Sequence, residues 1–197
     1  SQEAALKALN EWAGEPLPLS ASCWIGSAKG GDGELTIRLA GAVAAVKAAV
    51  PHISSLVMAV EVNPEIAENF WSDLREQNLA SFNTLDPDQT LYRLALPAAC
   101  GPLTIHGAAD EVVLEWHGQQ RWIKGPGDEA TFSAIKALAN SHGGHATRFR
   151  QGANVDTEYQ RFTLLSEQVH SKALEVVQER LRSAFDPSGV FATKRLP

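Results

Sequence analysis

Apolar residues recur along this chain with two different periods, and the order of those blocks predicts its elements. Residues 2–13 place Leu6, Leu9 and Trp12 three apart, a helical stripe that Gly14 and Pro16 bring to a stop. Leu19, Ala21, Cys23 and Ile25 then alternate with Ser20, Ser22 and Trp24, the pattern of a half-buried strand. A second alternation follows a glycine-rich loop, with Leu35, Ile37 and Leu39 inward and Glu34, Thr36 and Arg38 outward, so the two strands make a hairpin. Residues 42–49 read as a helix ended by Pro51. The run 56–62 is apolar but for Glu61, as expected of a strand buried on both faces.

Asn63 and Pro64 cap and open the next helix, whose stripe is Ile66, Phe70, Trp71 and Leu74. Residues 91–96 predict a strand. Val112, Leu114 and Trp116, followed by Arg121, Trp122 and Ile123, flank His117-Gly118 as a second hairpin. Residues 129–141 form a helix with Asp128 as cap, Phe132, Ile135, Leu138 and Ala139 inward, and Gly143 at the stop. Residues 145–150 make a short strand and 151–161 a polar loop. Residues 164–185 form a long helix with Leu165, Val169, Leu174, Val177, Leu181 and Phe185 on one face. Antiparallel strands interleaved with helices, without strict βαβ alternation, predict an α+β fold: a ferredoxin-like sandwich with helices layered on one sheet face.

Composition narrows the function classes. The 197 residues suit one domain, 1–197, large enough to bury a core without staples. Seventeen Lys and Arg against 23 Asp and Glu give a net charge of −6, with no basic run, which argues against a nucleic-acid partner. The only two cysteines, Cys23 and Cys100, are far apart and read as buried free thiols, which suits a reducing, cytoplasmic setting. The most apolar stretch, 39–50, is too short to span a bilayer and contains Lys47, so an integral membrane protein is not expected. The first residues carry no basic segment of a signal peptide.

Few motifs suggest chemistry. Gly125-Pro126-Gly127-Asp128-Glu129-Ala130 has the dinucleotide spacing, but Asp128 puts a carboxylate where a pyrophosphate would sit, so a turn and cap explain it. Lys29-Gly30-Gly31-Asp32-Gly33 leads into a strand rather than a helix. Ser133-Ala134-Ile135-Lys136 matches S-x-x-K only by chance, in mid-helix. His142 and His145 lack further ligands at metal spacing, so no metal is expected. Arg148 and Arg150, two apart on one strand, should share a face with His145 beside them, and two guanidiniums can bind a small carboxylate. The alternative is a solvated edge strand. Five tryptophans fill the core by default, and Trp24, on the polar face of its strand, is the best candidate for a docking surface.

Phe185-Asp186-Pro187-Ser188-Gly189-Val190-Phe191 resembles the closing motif FDPxGIFNPGR of FAD-linked oxidases of the vanillyl-alcohol oxidase type. Further segments resemble, in the same order, the FAD-binding subunits of glycolate oxidase. These are residues 17–24, Phe70-Trp71 with Leu74-Arg75-Glu76-Gln77, Leu91-Tyr92-Arg93-Leu94, residues 116–122 and Gly143-Gly144-His145-Ala146-Thr147-Arg148-Phe149-Arg150. The resemblance implies a C-terminal substrate or cap domain, with FAD held mainly by an N-terminal domain that this chain does not contain. It implies oxidation of glycolate or a similar 2-hydroxy acid to the 2-oxo acid by the parent protein, with the domain alone inactive. Implied partners are a paralogous FAD subunit and an iron–sulfur subunit, the complex lying peripherally at the inner membrane. His145, Arg148 and Arg150 would face substrate or flavin. Where the family closes with Asn-Pro-Gly-Arg, this chain has Ala192-Thr193-Lys194-Arg195, so only Arg195 matches the cofactor-side tail. A subunit-docking module without a substrate role is the rival reading.

Overall fold

The computed structural model describes residues 1–27, 31–105, 107, 111–155 and 172–190. Six strands form one sheet, β1 (Leu19–Ser27), β2 (Gly33–Leu39), β3 (Gln89–Ala95), β4 (Glu111–Glu115), β5 (Gln120–Pro126) and β6 (His145–Gln151), in the spatial order β2-β1-β4-β5-β3-β6. Every neighbouring pair is antiparallel. β5, α5 (Glu129–Ser141) and β6 make a split β-α-β unit, because β3 pairs on either side with β5 and β6. The fold is α+β, as the order of blocks predicts.

Helices cover both faces of the sheet rather than one. On the first face, α1 (Gln2–Ala13) and α5 bury Leu6, Phe132, Ile135 and Ala139 against Trp24, Tyr92, Leu94 and Leu114. On the second, α3 (Pro64–Glu76) and α4 (Ala80–Asn83) bring Leu74 and Phe82 onto Cys23, Leu91, Val113 and Trp122. This double cover explains β1, which is not half-buried: Cys23 and Trp24 point to opposite faces and both are fully buried. Trp24, expected at a docking surface, is 1% exposed. A third cluster joins Leu9 and Trp12 of α1 to Ile53 of α2 (Val43–Leu56) beside β2.

Two other expectations fail for local reasons. α2 does not end at Pro51 but runs through it to Leu56. Pro51 forfeits one helical hydrogen bond, to the carbonyl of Lys47, and both residues are exposed, so water can replace the lost donor. The run 56–62 is no buried strand. It has no strand partner among the described residues, and Met58 and Val60 lie in solvent at 104% and 88% exposure. α6 (Lys172–Phe185) is helical as expected; the residues from 164 up to its start lie outside those described. Its Val177, Leu181 and Phe185 are exposed.

α5 is bounded as the sequence dictates. Asp128 caps it, its Oδ1 accepting from the Thr131 amide at 2.8 Å and its Oδ2 from the Thr131 hydroxyl at 2.9 Å. At the other end Gly143 takes φ 74°, and the Gly144 amide returns to the Ala139 carbonyl at 2.9 Å. Those bonds to Thr131, its amide foremost, hold the Asp128 carboxyl below the usual carboxylate range. A carboxylate with a depressed folded pKa contributes fully above its unfolded pKa, and the contribution is lost as pH falls through the folded value. Asp128→Asn keeps a capping oxygen, so melting at neutral pH should move little. Below about pH 4 the variant should lose stability less steeply than the parent chain. Identical acid limbs in the two melting curves would contradict this role.

Candidate functional site

The predicted pairing of Arg148 with Arg150 is undone by a bulge. Tyr92 pairs with Arg148 and the preceding Leu91 with Arg150, so Phe149 is an extra residue on β6. Strand parity inverts there, and the two arginines leave the sheet on opposite faces. Arg148 turns toward α5 and is 4% exposed. Its Nη2 donates to Glu129 Oε2 at 2.7 Å, and its guanidinium lies 4.2 Å from the centre of the Phe132 ring, which stacks on Tyr92. The bulged Phe149 packs edge-on against Trp122. Arg150 turns to the other face, donating to the Phe82 carbonyl at 3.1 Å and to Gln77 Oε1 at 3.5 Å. His145 is half-buried opposite Ala95 at the start of β6. Arg195 lies outside the described residues. Arg148 and Arg150 therefore do not share a face of the sheet.

A cleft of about 1030 Å³ opens instead between α3 and the ends of β1, β4 and β5. Trp71 and Trp122 form apolar parts of its wall, Arg38 and Arg75 bring positive charge to it, and Glu68 and Glu115 bring carboxylates. Glu115 Oε2 accepts from the Trp122 indole and from Gln120 Nε2 at 3.0 Å, which fixes both side chains in the wall. Arg38 is held by its Nε donating to Ser20 Oγ at 3.1 Å, and Arg75 pairs with Glu76 at 2.8 Å. Gln77, the partner of Arg150, also lines the cleft, so Arg150 braces its border without entering it.

At the cleft's edge the turn Trp116–Gly118 is held in left-handed backbone, with φ of 52° at Trp116, 58° at His117 and 82° at Gly118. Two bulky residues there cost about 1–3 kcal/mol each, so the surroundings must enforce the turn. The His117 amide donates to Ser22 Oγ at 3.0 Å, and Arg121 Nε donates to the Gly118 carbonyl at 3.0 Å. A side chain at Gly118 would collide with Leu6. The outcome is that Trp116, read as part of a hairpin arm and by default as core filling, stands 65% exposed beside the cleft.

The cleft's charged lining is balanced, Arg38 and Arg75 against Glu68 and Glu115, and its indoles can cover an apolar or planar group. It is far larger than a two-carbon acid, and its positively charged residues come from β2 and α3, which sequence reasoning had not singled out. One signal did point here. Ser20-Ala21-Ser22, Trp71, Arg75 and Gln77, and Trp116, His117, Gln120 and Trp122 all lie within the segments that carry the family resemblance, and all line this one cleft.

The remaining motifs are structural. At the dinucleotide-like turn, Asp128 already fills the start of α5, and a side chain on Gly127 would meet Val155 at 2.4 Å and Thr90 at 2.9 Å. A pyrophosphate does not fit there. His142 Nδ1 lies 2.9 Å from the Leu138 carbonyl at the end of α5, and no cluster of three or more metal-ligating side chains occurs among the described residues. Ser133 Oγ donates to Glu129 Oε1 at 3.4 Å, and Lys136 lies over the Phe132 ring. Both thiols are free and buried. Burial, with Glu115 second, pushes Cys23 up to about 12. Cys23 should therefore resist alkylation at ~pH 8 until the chain is unfolded, and rapid labelling of the native chain by a thiol reagent would contradict its placement.

Fold and site together describe an antiparallel α+β domain with a tryptophan-walled cleft. The chain is similar to part of a glycolate oxidase subunit. Over 196 residues, 100% of its length, it is 32% identical to glycolate oxidase subunit GlcE of Escherichia coli (strain K12), and it spans 46% of that protein. No family model and no solved structure matches it.

Proposed function

We propose that this chain is the substrate-side cap domain of a flavin-dependent oxidoreductase subunit that oxidises glycolate or a similar 2-hydroxy acid to the 2-oxo acid. One observation carries the reading: three segments that resemble glycolate oxidase subunits, distant in sequence, meet around one cleft. The whole-length similarity to GlcE supports it. In this account FAD sits on an N-terminal domain outside this chain, and the closing tail with Arg195 reaches toward it. A paralogous FAD subunit and an iron–sulfur subunit take part in the complex, which is cytoplasmic and peripheral at the inner membrane. Among the described residues no helix is long and apolar enough to cross a membrane.

His145 and Arg150 are proposed to act from the α3 side of the sheet, Arg150 through Gln77. Arg148 is proposed to hold β6 to α5 and so to set the sheet edge. The test is anaerobic titration of the flavin-loaded full-length subunit with glycolate. Bleaching of the flavin's visible absorbance is expected, and Arg38→Ala with Arg75→Ala should raise the glycolate concentration needed by about tenfold or more, the loss of one charge-assisted contact. A flavin that glycolate and other 2-hydroxy acids leave oxidised would overturn the reading. A second reading, a docking module without a substrate role, is favoured by the separation of Arg148 from Arg150, and it predicts bleaching that the cleft variants leave unchanged.

A further inference from the structure

The segment between α2 and α3 combines three features that do not belong together on an isolated surface. Leu56, Met58, Val60, Val62 and Ile66 are 42–104% exposed. The backbone leaves α2 extended, with Val57 at φ −140° and ψ 154°. Among the described residues no backbone hydrogen bond engages residues 58–62. In extended chain Met58, Val60 and Val62 share one side. An exposed apolar segment that leaves a helix extended and has no strand partner among the described residues is a template for pairing.

We infer that residues 57–62 dock by strand addition onto an exposed sheet edge of the flavin-binding part of the parent subunit, which rests on the cap-domain reading above. Two observations select that occupant. The chain spans only 46% of its relative GlcE, so that reading places further protein beside this domain. The segment and the start of α3 carry exposed Glu61, Glu65 and Glu68 and no Lys or Arg, on a chain of net charge −6. Antiparallel pairing of two copies would set acidic segment against acidic segment, whereas an edge flanked by Lys or Arg is complementary. Main-chain hydrogen bonds would supply the affinity and the Met58, Val60 and Val62 side chains the register.

Hydrogen exchange compares this chain alone with the full-length subunit. Amides 58–62 should exchange at open-peptide rates in the chain alone and about 100-fold more slowly in the full-length protein. Met58→Asp with Val60→Asp should abolish that protection while leaving the melting of the chain alone unchanged, since both side chains are exposed there. Equal exchange rates in the two proteins overturn the inference. Protection that appears in the chain alone and grows with its concentration overturns it in favour of self-pairing. Flavin absorbance of the full-length protein, read on the same sample, judges the cap-domain reading separately: a flavin-loaded subunit with unprotected 58–62 loses the interface and keeps the reading.

Discussion

Arg121→Leu is expected to lower the stability of the chain by about 3–5 kcal/mol, because Arg121 is a fully buried fork that closes three backbone carbonyls at once. Its Nε donates to the Gly118 carbonyl at 3.0 Å, its Nη1 to that of Gly101 at 2.7 Å and its Nη2 to that of Cys100 at 2.6 Å. The side chain thus ties the β3–β4 connection and the left-handed turn at the cleft edge to the sheet. Leucine fills part of the space but leaves the carbonyls without a donor, at roughly 1–3 kcal/mol for each that water does not reach. In a chain of this length the melting temperature should fall by roughly 10 °C. Arg121→Lys keeps the charge but not the planar fork and should fall between the two. A leucine variant that melts with the parent chain would contradict the role assigned to Arg121.

Trp24→Ala carries the second large effect. The indole lies in the main core with Leu6 and Leu114, and its ring spreads over the paired Gly26 and Gly33. A side chain on Gly33 would meet the ring at 2.5 Å, and one on Gly26 at 2.6 Å. Those glycines are the floor on which the tryptophan rests. Its removal should cost about 3–5 kcal/mol, the transfer of an aromatic side chain plus the cavity left behind. Gly33→Val should destabilise by about 1–3 kcal/mol or more, through overpacking of the same ring and a clash with the Ile25 carbonyl oxygen, which lies 2.6 Å from where its Cβ would be. Combining the two should cost less than their sum, since alanine at 24 makes room for valine at 33. Strict additivity in a chemical-denaturation cycle would show that the ring and the glycines do not share this contact.

These residues also mark where the sequence was legible. α5 was readable end to end because its signals are local: a side-chain cap at Asp128 and a left-handed glycine at Gly143. The β4–β5 hairpin was readable from alternation around His117-Gly118, though not the outward turn of Trp116, which needs Ser22, Leu6 and Arg121 from elsewhere to enforce it. Trp24 was misplaced because alternation reports one buried face, and β1 has two. The run 56–62 has the composition of a buried strand, but burial requires a partner that the described chain does not supply. The arginine pair failed on a single extra residue: the bulge at Phe149 reverses the parity on which co-facial spacing depends. The cleft itself was visible only as scattered family-like segments, because β2, α3 and the β4–β5 turn converge in space and not along the chain.

The central claim is that this domain serves a flavin it does not itself hold. Gel filtration of the purified chain after incubation with FAD, followed by absorbance of the protein peak, tests it most directly. The account predicts a protein peak free of flavin, while the full-length subunit carries flavin through the same column. Flavin retained at one per chain by this domain alone would contradict it and would place a cofactor site within the fold described above.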